Sequence, residues 1–213
     1  MSLTRYALRT AGLAALYLLA TSAGLATAQT TGGVRLLWPA AVVGALWLVA
    51  QARGGRRNLD VIALSVAAVL APGHAPGHGD GLLHAFVQAV PQVVPAVLFA
   101  WLFDRRLPGY WLGHGDRFRT PGRSLARLAG VAFSAALAAA VLLKVVDTDL
   151  GLPEAGYVVV RDATALMLAV LTARGVRGRA LRRGQERPGG AVDAGRKGGR
   201  DEGPRGPGLT LVK

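Results

Sequence analysis

The sequence predicts an all-α protein, a polytopic transmembrane helix bundle with six spans, and two observations support this prediction. Of the 213 residues, 52% are hydrophobic and only 17% are charged, whereas a soluble domain carries about 25% charged residues. The apolar residues also form long runs that are separated by short clusters of arginine. This combination excludes an ordinary soluble globular enzyme.

Six segments have the roughly 20 apolar residues that a helix needs to cross a bilayer, or nearly so. In chain order the six predicted spans are residues 7–28, 34–52, 59–75, 82–103, 125–146 and 155–173. The third is the weakest, because its unbroken apolar core, residues 61–71, is short enough for a re-entrant segment. The first has the alternative interpretation of a cleaved signal peptide, since Arg5 and Arg9 precede an apolar run that ends in Ala26-Thr27-Ala28. Cleavage would leave five spans with the same sidedness.

The basic residues predict the orientation of the spans. If the spans alternate, 22 of the 25 Lys and Arg residues lie on one side, which the positive-inside rule assigns to the cytoplasm; the exceptions are Arg35, Lys144 and Arg161. The arginine-rich loops before span 3 and after span 4 should both face the cytoplasm, so an even number of crossings separates them. Since span 4 crosses, span 3 must cross as well. We therefore expect both termini in the cytoplasm and a multi-pass protein of the cytoplasmic membrane.

The C-terminal segment, residues 175–213, differs from the membrane domain of residues 1–174. It is rich in Gly, Arg and Pro and has almost no large apolar residue, so we expect a disordered cytoplasmic tail. The arginines from Arg174 to Arg187 either bind anionic lipid head groups or only anchor the last span. No nucleic-acid partner is expected, because the positive charge punctuates the spans and fills the tail.

Polar side chains inside the predicted spans are the candidates for function, since each is costly in a bilayer unless it is paired or hydrated. Arg161 and Asp162 are adjacent in span 6, and Arg35 opens span 2 at the outer face. These residues could form an ion pair that joins helices, such as Arg35 with Asp162, or an outward-facing pocket that binds a ligand. We expect Asp162 to be the buried partner and Arg161 to reach toward the outer interface or a pocket, because only the arginine side chain is long enough.

Span 4 carries a polar stripe. His84, Gln88 and Gln92 are spaced four residues apart and therefore share one helix face. Pro91 and Pro95 remove helical hydrogen bonds and predict a kink. Kinked polar helices often line cavities, although glutamines also join neighbouring helices without any ligand.

We expect no metal, no cofactor and no enzymatic activity. The lack of cysteine excludes disulfides and thiolate metal sites. His74, His78 and Asp80, together with His84, are potential zinc or copper ligands. Their spacing matches no closed structural site, and the surrounding glycines and prolines provide no rigid frame. The sequence contains no nucleophile elbow, phosphate-binding loop or His-Glu-x-x-His helix.

Three short motifs carry a resemblance to a known family. They are Leu37-Trp38-Pro39, then Gln92 followed by Ala100-Trp101-Leu102-Phe103-Asp104-Arg105-Arg106, and Arg161-Asp162-Ala163. Their order and spacing resemble the bacterial membrane-associated sensor domains of the MASE type. Those multi-span sensors usually precede a cytoplasmic diguanylate cyclase, phosphodiesterase or histidine kinase. The resemblance places Trp38, Pro39, Gln92 and Asp162 at the family's turn and polar positions.

These observations predict a non-enzymatic membrane protein of sensory type. It would bind an unidentified ligand or membrane cue from outside, near the residues Arg35, Gln88, Gln92, Arg161 and Asp162. Since no output domain follows in the sequence, we expect the signal to pass through spans 4 and 6 to a separate cytoplasmic partner. The alternative is a small carrier or channel subunit whose path follows the span 4 stripe. Acids at the bilayer midplane or an inverted repeat of broken helices would favour transport, and neither is apparent in the sequence.

Overall fold

The structure is a computed structural model that describes residues 3–30, 39–51, 57–71, 81–108, 110, 121–148 and 150–185. Over these ranges the chain forms six α-helices and no strand. The helices are α1 (Leu3–Thr30), α2 (Pro39–Gln51), α3 (Arg57–Val69), α4 (Leu82–Arg106), α5 (Pro121–Val146) and α6 (Leu152–Gln185). The prediction of an all-α protein is confirmed for this part of the chain.

Four of the helices are long and apolar enough to cross a membrane. These segments are Leu3–Ala26 in α1, Leu82–Arg106 in α4, Gly122–Val146 in α5 and Leu152–Ala180 in α6, and they coincide with predicted spans 1, 4, 5 and 6. Helices α2 and α3 have 13 residues each, a length of about 20 Å against a hydrocarbon core of about 30 Å. The structure therefore supports a membrane protein with four helices of spanning length.

Helix α4 lies at the centre of the bundle, where it packs against α2, α3 and α5. Its Phe99 and Phe103 are buried and stack with their ring centroids 5.8 Å apart. The same apolar core contains Trp47 of α2, Leu64 of α3 and Leu128 of α5. Helix α1 packs against α2 and α3.

The two last helices differ in how closely they approach the others. Helix α5 faces α4 with buried alanines at 132, 135, 136 and 139, and small side chains let two helix backbones come close in a membrane. Helix α6 makes few close backbone contacts with any other helix. It reaches the core through the side chains of Val159, Leu166 and Val170. A space therefore remains between α6 and its neighbours.

Among the described residues, Arg5, Arg57, Arg105 and Arg106 lie at the end of the bundle where α1 and α3 start and α4 ends, which we name the basic end. Three side-chain hydrogen bonds join helices there: Tyr6 to Asp60 at 2.8 Å, Gln51 to Thr10 at 3.3 Å and Arg57 to Asp104 at 2.7 Å. They bring together the start of α1, the end of α2, the start of α3 and the end of α4. At the end of α4, the Arg174 guanidinium of α6 lies 4.3 Å from the ring centroid of Tyr110. If consecutive spans alternate in direction, these helix ends must lie on the same side of the membrane.

The helical part of the chain extends further towards the C-terminus than the sequence predicted. Helix α6 continues to Gln185, so the expectation of disorder is wrong for residues 175–185. This stretch contains arginine, alanine, leucine and glutamine, which favour helix, and extending an existing helix needs no new nucleus. By internal contacts the chain divides into residues 1–176 and residues 177–213, close to the predicted boundary. Residues 186–213 lie outside the described residues.

Candidate functional site: a polar cavity between α4 and α6

A cavity of about 920 Å³ lies among α2, α4, α5 and α6. Its wall is mostly apolar and includes Pro91, Pro95 and Leu166, together with four alanines from α4 and α5. Its polar lining residues are Gln88, Gln92, Asp147, Glu154, Tyr157, Arg161 and Asp162. The cavity therefore brings together four of the five polar residues that the sequence singled out in spans 4 and 6, all except His84.

Two of these polar residues lie near the middle of the bundle. Gln92 is ten residues from the start of α4, and Asp162 is ten residues from the start of α6. At 1.5 Å per residue, both lie about 15 Å along their helices, which is half the thickness of a bilayer core. Both helices start at the end of the bundle opposite the basic end. The cavity thus extends from that opposite end to the mid-depth of the bundle.

Gln92 is fixed by a residue that the sequence analysis missed. It is 9% exposed, and its Oε1 accepts a hydrogen bond of 2.6 Å from the hydroxyl of Tyr17 in α1. Tyr17 is 1% exposed. A tyrosine in the middle of an apolar span usually needs a polar partner for its hydroxyl, and this was the signal available in the sequence. Among the described residues no group accepts a hydrogen bond from Nε2 of Gln92, whose side chain lines the cavity.

Arg161 and Asp162 form an ion pair with each other. Nε of Arg161 donates to Oδ1 of Asp162 at 2.8 Å, and the two side chains are only 13% and 10% exposed. The prediction that Asp162 is buried is confirmed, at 8% exposure. Arg161, which was expected to reach the outer interface or a pocket, lines the cavity, and its side chain folds back to its neighbour on the helix. The guanidinium also lies 6.0 Å from the Tyr157 ring centroid, within the range of a cation–π contact.

The mouth of the cavity, at the end of the bundle opposite the basic end, is formed by the end of α5 and the start of α6. Asp147 and Glu154 line it, and Oε2 of Glu154 accepts a hydrogen bond from the backbone of Gly151 at 3.0 Å. Lys144 lies beside the mouth, and its Nζ donates to the backbone carbonyls of Thr148 and Leu150. Its ammonium group is therefore directed at the loop backbone, and Lys144 does not line the cavity.

The remaining predicted site residues lie elsewhere. His84 is exposed, with its Nε2 3.5 Å from Nε2 of Gln88, and does not line the cavity. Pro39 is the first residue of α2, a position that suits proline because it needs no backbone N–H. Arg35 and Trp38 lie outside the described residues, as do the potential metal ligands His74, His78 and Asp80. Among the described residues there is no group of three or more His, Cys, Asp or Glu side chains that could hold a metal ion.

A second buried acid was also missed. Asp60 of α3 is 1% exposed and accepts a hydrogen bond of 2.8 Å from Tyr6. It lies near the basic end, and it is not part of the cavity lining. An acid directly at the start of an apolar segment was the available signal. Its hydrogen bond joins α1 to α3.

Comparison with known protein families, curated proteins and solved structures finds no match to this chain. The function therefore has to be inferred from the site, since even a known fold would not by itself establish an activity.

Proposed function

We propose that the chain is a sensory protein of the cytoplasmic membrane, of the kind found in MASE-type sensor domains. It crosses the bilayer six times, keeps both termini in the cytoplasm, and is not an enzyme. A small ligand enters the cavity from the outer side and contacts Gln88, Gln92, Arg161 and Asp162. Occupancy changes the position of α6 relative to α4, and a separate cytoplasmic signalling protein detects that change.

The observation that carries this proposal is the convergence of four sequence-predicted polar residues on one cavity. Gln88 and Gln92 come from α4, and Arg161 and Asp162 come from α6. The cavity volume, about 920 Å³, is within the range of about 300 to 1,000 Å³ that ligand sites occupy. An apolar wall with a few polar groups is also the usual composition of such sites.

The packing of α6 supports the proposed transmission. Since α6 makes few close backbone contacts with other helices, a ligand between α6 and α4 can shift it without breaking a tightly packed interface. The movement would reach the basic end through Arg174, which lies on the ring of Tyr110 just after α4. Arg179 in the C-terminal part of α6 is exposed, and the arginines of this part would contact anionic lipid head groups as well as the partner.

The hydrogen bonds between helices at the basic end support the six-span topology. The hydrogen bonds of Asp60 and Asp104 place the start of α3 beside the start of α1 and the end of α4. If α2, α3 and α4 alternate in direction across the bilayer, these helix ends lie on the same side, and this agreement supports six spans. We keep α1 in the proposed bundle because its Tyr17 holds Gln92 at the cavity wall.

A carrier or channel subunit is the second candidate, and one observation favours it. Asp162 lies at about the mid-depth of a spanning helix and lines a cavity. Acids in that position commonly take part in proton or ion transport. A sensor cavity needs to open only towards the outside, whereas a carrier must expose the same site to both faces in turn.

Cysteine accessibility from each face tests both candidates, and the native chain contains no cysteine. Ala139→Cys places a thiol in the cavity wall. A charged, membrane-impermeant methanethiosulfonate is applied to intact cells and, separately, to inside-out vesicles. Val94→Cys is the control, because Val94 lies on α4 outside the cavity lining and is 44% exposed on a helix of spanning length.

The sensor proposal expects Ala139→Cys to react only in intact cells and Val94→Cys to react in neither preparation. Reaction of Ala139→Cys from both faces supports the carrier. Reaction of Ala139→Cys only in inside-out vesicles would show that the cavity opens towards the cytoplasm, opposite to the proposed orientation. If neither face gives a reaction, the cavity is not accessible to water and both candidates fail.

A further inference from the structure

We infer that the ligand of the cavity is an uncharged organic molecule whose surface is mostly apolar. This inference rests on the proposed function, since it names the ligand class of the same site. Two features of the lining carry it. The charged side chains have partners within the chain, and the surface between them is formed by apolar side chains.

Each charged side chain of the lining has a partner within the chain. Nε of Arg161 donates to Oδ1 of Asp162 at 2.8 Å, and Oε2 of Glu154 accepts a hydrogen bond from the backbone N–H of Gly151 at 3.0 Å. Asp147 and Arg161 each take part in a further interaction within the chain. The charges of the lining are therefore engaged by the protein itself.

The polar groups at mid-depth are neutral or paired. Gln92 carries an uncharged carboxamide, which Tyr17 contacts through its hydroxyl at 2.6 Å, and Asp162 pairs with Arg161. None of the described side chains that line the cavity has a fully buried polar atom without a hydrogen-bond partner. A charged ligand would lose its hydration at this depth without meeting an opposite charge that is free to pair with it. That loss is costly, and an uncharged ligand avoids it.

Most of the lining is apolar. It is formed by Pro91 and Pro95 of α4, by alanines of α2, α4 and α5, and by Leu143, Leu150 and Leu166. An apolar body that contacts this wall gains free energy in proportion to the apolar surface that is removed from water. The ligand is therefore expected to bind through its hydrocarbon or aromatic surface rather than through charge.

Three adamantane derivatives test this inference, because they share one hydrocarbon body and differ in charge. At neutral pH adamantanemethanol is uncharged, adamantanemethylamine is a cation and adamantanecarboxylate is an anion. Each compound is titrated separately into the purified full-length protein in detergent, and the heat of binding is measured. Micelles without protein give the background of partition.

We expect the alcohol to bind at least about tenfold more tightly than either ion, because only the ions lose a charge's hydration. Ala139→Phe and Leu143→Trp each fill the cavity and should abolish this binding, and thermal melting shows which of these variants is folded. Ionic strength should not change the affinity for the alcohol, since salt screens only interactions between charges.

Asp162→Asn tests whether the ion pair is the reason for the preference. The substitution leaves the guanidinium of Arg161 in the cavity without this carboxylate. The affinity for the anion, relative to that for the alcohol, should then rise about threefold or more. Asp104→Asn is the matched control, because it removes the carboxylate of the ion pair with Arg57 at the basic end and should leave the ratio unchanged.

Affinity for either ion equal to that for the alcohol would overturn the ligand class, and loss of this binding in the filled variants would keep the cavity as a site. Heat from the alcohol no greater than that with micelles alone, or binding that persists in a folded filled variant, would also overturn the inference. An unchanged ratio in Asp162→Asn would do the same. The proposed function is not decided by these results, because it depends on the accessibility of Ala139→Cys.

Discussion

Asp162→Asn should destabilise the bundle, because it removes the carboxylate charge that Arg161 contacts in a buried site. The two side chains are 2.8 Å apart and 13% and 10% exposed. Removing one partner of a buried ion pair costs about 3–5 kcal/mol in soluble proteins. A charged residue without a partner at the centre of a spanning helix costs about 2.5–3.5 kcal/mol on the insertion scale. Since the pair lines a cavity and keeps some exposure, we expect a loss of about 2–3 kcal/mol.

A double-mutant cycle separates the pair from other effects of the substitution. Arg161→Gln alone should also destabilise, and the double variant with Asp162→Asn should recover part of the loss, with a coupling of about 1–3 kcal/mol. The chain offers a matched control in Arg57 and Asp104, which form an ion pair at 2.7 Å with side chains 29% and 41% exposed. Exposed pairs contribute about 0.2–1 kcal/mol.

The assay is reversible unfolding of the full-length protein in mixed detergent and SDS micelles, followed by far-ultraviolet circular dichroism. The free energy of unfolding is obtained for the wild type and for each variant of both cycles. A coupling for Arg161 and Asp162 no larger than that for Arg57 and Asp104 would refute the reasoning. The burial of the pair would then have no energetic consequence.

Three further predictions concern the hydrogen bond of α1, the topology and the C-terminus. Tyr17→Phe should lower the free energy of unfolding by about 1 kcal/mol or more, because it leaves the buried Oε1 of Gln92 without a donor. Tyr157→Phe, at a position that is 44% exposed, should have a smaller effect in the same assay. A cysteine at Gly77 should react with an impermeant maleimide in intact cells and one at Gly113 should not, and the opposite pattern would reverse the topology. Deletion of residues 186–213 should leave the melting temperature in detergent unchanged, since this segment has few core-forming residues; a lower melting temperature would show that it contacts the bundle.

The sequence by itself determined the helical class and the four long spans, because apolar runs of about 20 residues have few alternatives to a transmembrane helix. It also identified most of the polar residues of the cavity. A polar side chain in an apolar span is conspicuous in any sequence, and helical periodicity shows that Gln88 and Gln92 share a face. The cost of a polar side chain in lipid then predicts that such a face is turned towards the protein or water.

Only the tertiary structure decided which polar groups meet. Tyr17 and Gln92 are 75 residues apart in the chain and are joined by the way α1 packs on the bundle. Asp147 and Glu154 line the mouth because α6 stands off from the other helices. Side-chain rotamers decided that Arg161 pairs with its neighbour Asp162 rather than reaching outward. Such contacts depend on helix rotation and separation, and these are set by side-chain packing between segments that are distant in the sequence.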